Sequence, residues 1–190
     1  MLSLAIFASG RGSNALSIIK HFKHSKEIKV ACICSNNPNP GVFEYAEEYG
    51  IPYRSFTAEE RGRPEILGAY LDEKNVSYIA LAGYMKKIPQ HLLDQFPDKI
   101  LNIHPALLPK FGGQGMYGMN VHEAVVLANE KESGISIHLV NEDYDKGRIL
   151  HQEKTDIADA DTAELVAKKV LALEHQFYPR IIEKFMLGKI

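Results

Sequence analysis

Asn102 and His104, inside LNIHPALLP (101–109), are the residues best suited to chemistry in this chain. They close the apolar run at Lys99-Ile100-Leu101 and are followed by Pro105. In an extended segment, residues two apart point to one face, so a carboxamide and an imidazole are expected side by side. Both are donors suited to an oxygen that becomes negative during a reaction. A histidine alone at a strand end is more often structural, and the neighbouring Asn102 is what favours a chemical reading. To act as an acid or a cation near neutrality, the imidazole needs a carboxylate to raise its pKa. HLVNEDYDKG (138–147) offers Glu142, Asp143 and Asp145, with Gly147 permitting a tight return. Spacing does not choose among the three acids.

A second group lies near the start. ASGRGSNA (8–15) follows an apolar run, and Gly10, Gly12 and Ala15 satisfy the G-x-G-x-x-G/A pattern of dinucleotide sites. That pattern also asks for an acidic residue about 20 positions on. Here the corresponding stretch reads Cys34-Ser35-Asn36-Asn37, with no carboxylate for a ribose, which disfavours a dinucleotide. Backbone N–H groups at a helix N-terminus, with Ser13 and Asn14, still make a site for a single phosphate. The plainer reading is that Ser13 or Asn14 caps the helix.

The elements that position these groups alternate along the chain. Strand patterns are expected at 3–8, 28–35, 51–56, 77–83, 99–104, 134–140 and 148–157. Helical patterns are expected at 14–22, 42–50, 57–74 with a TAEE capping box, 89–96, 120–131, and from the DTAE cap at 161–164 to about 185. Strand–helix alternation through the first hundred residues implies βαβ units and a parallel sheet. The expected fold is therefore α/β: a Rossmann-like, mostly parallel sheet with helices on both faces and an antiparallel C-terminal addition. Ligands of such sheets bind beyond the carboxyl ends of the strands. The glycine loop, the loop after Gly83 and the Asn102/His104 pair would meet there in one crevice.

Composition agrees with a globular chain: 190 residues, 45% apolar, 24% charged, with a formal charge of −2. No basic field points to nucleic acid or an anionic membrane, and no apolar stretch is long enough to span a bilayer. The N-terminal MLSLAIFASGRGSN lacks the charged region of a signal peptide. Cys32 and Cys34 are expected unpaired, on opposite faces of one strand, in keeping with a reducing cytoplasm. The histidines show no zinc-type spacing with cysteine, so no metal is expected. His21, His24 and His91 are expected on solvated helix positions.

NIHPALLPKF together with SIHLVNEDYDKG resembles the phosphoribosylglycinamide formyltransferases, a family of folate-dependent formyltransferases. The similarity extends over nearly the whole chain, through SGRGSN (9–14), LAGYMKKI (81–88) and LEHQFYP (173–179). Asn-x-His with a later Asp is common to the wider superfamily that uses 10-formyltetrahydrofolate. SGRGSN and LEHQFYP are more particular to enzymes acting on glycinamide ribonucleotide. The resemblance implies that Asn102, His104 and Asp145 form the catalytic trio. It implies that Gly12, Ser13 and Asn14 bind the ribonucleotide phosphate and that Glu174 contacts the same substrate; the plain reading of His175 is that it orients its neighbour Glu174. Met85, Lys86, Lys87 and Ile88 would line the folate pocket, with Asn102 beside the formyl group and His138 lining the site. The backbone of Asn141, Glu142, Asp143 and Tyr144 would read the pterin, and Arg63, or its neighbour Arg61, would face the glutamate tail. Residues 1–100 would then be the phosphate-binding half, and 101–190 the catalytic and folate-binding half, of one domain.

The chain departs from the family at FGGQGMYGMNVHE (111–123), which is about three residues longer than the common pattern. Asn120 stands where a first histidine is frequent, with His122 retained, and Asn120 reads best as a helix N-cap.

The reaction so implied is transfer of the formyl group of 10-formyltetrahydrofolate to the amine of glycinamide ribonucleotide, in de novo purine biosynthesis. Asp145 would hold His104 protonated, and His104 and Asn102 would donate to the oxyanion. The expected partners are these two small molecules, with no nucleic acid and no membrane; monomer and homodimer both fit, and the expected location is cytoplasmic. The alternatives are a 10-formyltetrahydrofolate hydrolase, whose members carry an extra N-terminal domain, and a formyltransferase with another amino acceptor. A tRNA formyltransferase would add a basic C-terminal domain. A non-catalytic nucleotide-binding module would have no use for the Asn-x-His pair.

Overall fold

The computed structural model describes all residues, 1–190. Seven strands form one sheet: β1 Leu2–Phe7, β2 Ile28–Ser35, β3 Tyr53–Ser55, β4 Tyr78–Leu81, β5 Ile100–His104, β6 Glu132–Leu139 and β7 Ile149–Asp156. Their spatial order is β3-β2-β1-β4-β5-β6-β7. The first five pair in parallel, and β6 and β7 join antiparallel. This is the expected mixed sheet. The order reverses at β1, so the crevice beyond the carboxyl ends of β1 and β4 is the topological switch point.

Seven helices surround the sheet: α1 Ser13–Phe22, α2 Val42–Tyr49, α3 Ala58–Gly62, α4 Ala69–Glu73, α5 Gln90–Gln95, α6 Met119–Leu127 and α7 Ala163–Met186. Each face of the sheet carries its own core. Leu4, Ile6 and Ala8 pack with α1 and α7 residues such as Ile18 and Tyr178, whereas Ala5 and Phe7 pack with Leu67, Leu71 and Leu92 on the other side. Tyr178 shows how α7 locks the sheet. Its buried hydroxyl lies 3.0 Å from both the Leu81 and Leu101 carbonyls, bridging β4 and β5.

Three expectations need correction. The helix expected over 57–74 begins with the Thr57/Glu60 capping box but stops at Arg63, which is extended ahead of Pro64. Proline disfavours the helical region for the residue before it, and a single π-turn, Pro64–Gly68, separates α3 from α4. Cys32 and Cys34 share one face and lie together in the second core, because residues two apart on a strand point the same way. His91 is partly buried, and its Nε2 donates to the Arg61 carbonyl at 2.9 Å.

Candidate active site

A cavity of about 530 Å³ opens at the carboxyl end of the sheet. Its floor holds Asn102 and His104 at the end of β5, which pair across β6 with His138 and Ser136. Period two thus places the carboxamide and the imidazole on one face, as expected from the sequence. The tertiary structure then selects the acid. Asp145 turns inward, while Glu142 and Asp143 stay exposed at the rim. Asp145 has φ +56°, a conformation that Asp and Asn tolerate better than most residues. Gly147 makes its return possible: a Cβ there would stand 1.7 Å from the Leu139 carbonyl oxygen.

The polar cluster is closely connected. Asp145 Oδ2 lies 3.6 Å from His104 Nδ1, and Oδ1 lies 3.5 Å from both His138 Nε2 and Asn102 Nδ2. The Gly113 N–H donates to Oδ2 at 2.9 Å. His138 Nδ1 lies 2.8 Å from the Leu139 carbonyl, which can only accept, so Nδ1 carries a proton there, and Nε2 lies 3.1 Å from Asn102 Nδ2. By the same reasoning His104 carries its proton on Nε2, which donates to the Phe111 carbonyl at 2.7 Å.

Electrostatics corrects one expectation. Burial pushes the Asp145 carboxyl up, but His138, the Gly113 N–H and His104 together bring it below its usual range. Burial lowers the His104 pKa, and the nearby His138 adds to this; Asp145 and the Phe111 carbonyl oppose it without winning. The resting site therefore favours the neutral imidazole over a standing imidazolium.

At the other end of the cavity Asn14 Nδ2 donates to Glu174 Oε2 at 2.8 Å, tying α1 to α7. Burial pushes the Glu174 carboxyl up to about 7, against the pull of that hydrogen bond. His175 does not orient it: its Nε2 is buried without a partner, and the polar partner of Glu174 is Asn14. Neither Ser13 nor Asn14 caps α1. The N-cap is Gly12 at φ +79°, with no side-chain cap. A Cβ on Gly12 would lie 2.5 Å from Val42 Cγ2. Gly12→Ala is accordingly expected to cost about 1–2 kcal/mol from its left-handed backbone alone, read as a lower urea midpoint.

The remaining candidates divide. Met85, Lys86, Lys87 and Ile88 form one wall, and His138 with Asn141, Glu142, Asp143 and Tyr144 forms another. Gly12 and Ser13 lie at the base of α1 and, unlike Asn14, do not line the cavity. Arg63 is not brought to it either; its guanidinium pairs with Glu59 on the surface. Arg61 comes nearer: its positive charge acts on the wall residue Tyr84, opposing the rise that burial imposes on that phenol.

The unusual 111–118 segment covers one side with Gln114, Met116 and Tyr117, which no sequence pattern marked. Asn120 does not cap α6; Gly118 does, and the Asn120 amide donates to the Gly115 carbonyl at 3.1 Å, bracing that segment. His122, also on the cavity, is buried with Nδ1 unpartnered, and burial and the neighbouring His104 both lower its pKa. From α7, Ala167, Val170 and Leu171 join Glu174. Their one-turn spacing is visible in the sequence, but only the charged member stands out from an ordinary core stripe.

Residues 2–182 match the family model described as Formyl transferase. A chloroplastic phosphoribosylglycinamide formyltransferase of Arabidopsis thaliana is 43% identical over 94% of this chain. This chain spans 63% of the length of that relative and 59% of a similar protein from Vigna unguiculata. The phosphoribosylglycinamide formyltransferase of Haemophilus influenzae is 35% identical, covering all of this chain and 90% of that protein. A crystal structure of phosphoribosylglycinamide formyltransferase from Anaplasma phagocytophilum superposes with a TM-score of 0.89 at 33% identity, over 100% of this chain and 88% of that one. The agreement of sequence along the chain and of fold across the whole sheet carries the conclusion that this protein belongs to the formyl transferase family.

Proposed function

We propose that the protein transfers the formyl group of 10-formyltetrahydrofolate to the amine of glycinamide ribonucleotide, a step of purine biosynthesis. The observation that carries this reading is the convergence of Asn102, His104 and Asp145 on the floor of a cavity whose far end holds Asn14 and Glu174. Such a cavity suits two substrates meeting at the polar cluster. The names of the relatives support the same substrates.

In this reading the ribonucleotide phosphate lies over the N-terminus of α1, at Gly12 to Asn14. Glu174 accepts from its sugar or amine donors. The folate occupies the side between Met85–Ile88 and Asn141–Tyr144. The neutral amine attacks the formyl carbon, and the carbonyl oxygen becomes an oxyanion. One N–H of Asn102 is held only by a long bond, 3.5 Å to Asp145 Oδ1, and can turn to the oxyanion at little cost. Negative charge arriving beside His104 raises its pKa, so as the oxyanion forms Nδ1 of the ring takes up the proton that the attacking nitrogen sheds. The ring gives that same proton to the folate N10 as the bond from N10 to the formyl carbon breaks. Asp145, anionic throughout, stabilises the imidazolium during this interval.

The test follows folate absorbance after mixing the enzyme with 10-formyltetrahydrofolate, with and without glycinamide ribonucleotide. Conversion only in the presence of the ribonucleotide is expected. Equal conversion without it would show a hydrolase instead.

A further inference from the structure

Ser9 begins the glycine loop where β1 ends, and it makes hydrogen bonds in two directions across the switch point. Its N–H donates to the Gly83 carbonyl at 3.1 Å. Its hydroxyl accepts from the Met85 N–H at 2.9 Å and donates to Asn36 Oδ1 at 2.5 Å. Its own carbonyl accepts from Asn37 Nδ2 at 3.4 Å. Asn36 Oδ1 can only accept, so it draws the Ser9 proton and leaves an oxygen lone pair facing Met85.

The arrangement matters because of what lies at each end. Residues 10–14 continue into the N-terminus of α1, while Met85 belongs to the cavity wall. That wall is lightly anchored: residues 85–87 belong to no helix or strand, and the Met85 side chain is exposed. The polar group holding the Met85 backbone N–H is therefore a side chain of the glycine loop itself.

We infer that Ser9 is a positioning residue that couples the two substrate subsites, so that filling the anion site at residues 10–14 orders the wall at 83–88. The inference rests on the two-substrate reading given above. Ordering a shared joint when the first ligand binds leaves less to be ordered by the second, so the coupling is favourable. Linkage requires the same factor in either direction.

Tetrahydrofolate and glycinamide ribonucleotide form a non-reacting pair, so calorimetry can measure each dissociation constant with and without the other. For the unmodified protein, saturating ribonucleotide is expected to tighten tetrahydrofolate binding roughly tenfold. Ser9→Ala is expected to bring that factor close to one while changing each single-ligand constant far less. Ser9→Thr, which keeps the hydroxyl, is expected to restore it. Asn36→Ala frees the Ser9 proton from the other side, leaves Ser9 in place, and should reduce the coupling in the same sense should Ser9→Ala fail to fold. Undiminished coupling in these variants, or none in the unmodified protein, would overturn the role of Ser9 while leaving formyl transfer standing. Failure of either ligand to bind the unmodified protein would overturn both.

Discussion

Asp145→Asn is expected to lower kcat by about 10²–10⁴-fold, the range typical of a lost proton-transfer partner, with both KM values within a few-fold. The substitution removes a charge and little else. An Asn at this position keeps an oxygen for the Gly113 N–H and accommodates the φ of +56°. It removes the anion that faces His104 Nδ1 at 3.6 Å and His138 Nε2 at 3.5 Å. His104, already lowered by burial, then loses the larger of the two influences that oppose burial, and protonation during the reaction becomes harder. Steady-state kinetics would check this, with thermal unfolding to confirm that the fold is kept. An unchanged kcat would remove Asp145 from the mechanism.

Glu174→Gln is expected to stabilise the protein at pH 8 and leave it nearly unchanged at pH 4.5. The folded pKa of about 7 stands above the ordinary 4.5 because burial disfavours the carboxylate. A raised folded pKa means that the folded state binds the extra proton between these values. The contribution of this group is therefore fully present below pH 4.5 and is lost as pH rises through 7. Above that range the cost of the buried anion approaches about 3 kcal/mol. Gln removes that cost while still accepting from Asn14, so at pH 8 Tm should rise by roughly 5–10 °C. Unfolding scans across pH 4.5–8 would show the two curves diverging with rising pH; parallel curves would contradict it. The ribonucleotide KM should rise more than the folate KM, since Glu174 lies at the Asn14 end of the cavity.

The two predictions differ in how far the sequence alone supports them. Asn102 and His104 could be placed on one face from strand periodicity, because that rule needs only the residues themselves. The parallel pairing of the first strands, though not their spatial order, followed from strand–helix alternation. The glycine loop could be read from its residues as a phosphate site or as a plain helix start, and resemblance favoured the first; Glu174 was reached through resemblance alone, as a lone acid in a long helix has several ordinary uses. Where chain breaks depended on competition, local reading failed: Pro64 overrode a continuous helical pattern, and Gly118 took the cap expected of Asn120.

By itself, then, the sequence determined the sheet, its crevice and the pairing of a carboxamide with an imidazole at a strand end. Spacing left Glu142, Asp143 and Asp145 equivalent and resemblance singled out Asp145; the tertiary structure supplied the physical reason, an inward turn that depends on Gly147 fitting against the Leu139 carbonyl. It also decided the charge states. His104 and Glu174 are shifted mainly by loss of water, and burial comes from distant elements packed together, among them the Phe111 loop and α7. Ser9 shows the same division, for its partners Asn36 and Met85 are 27 and 76 residues away along the chain. Residue type and spacing set which groups were available; packing set their partners and their charge.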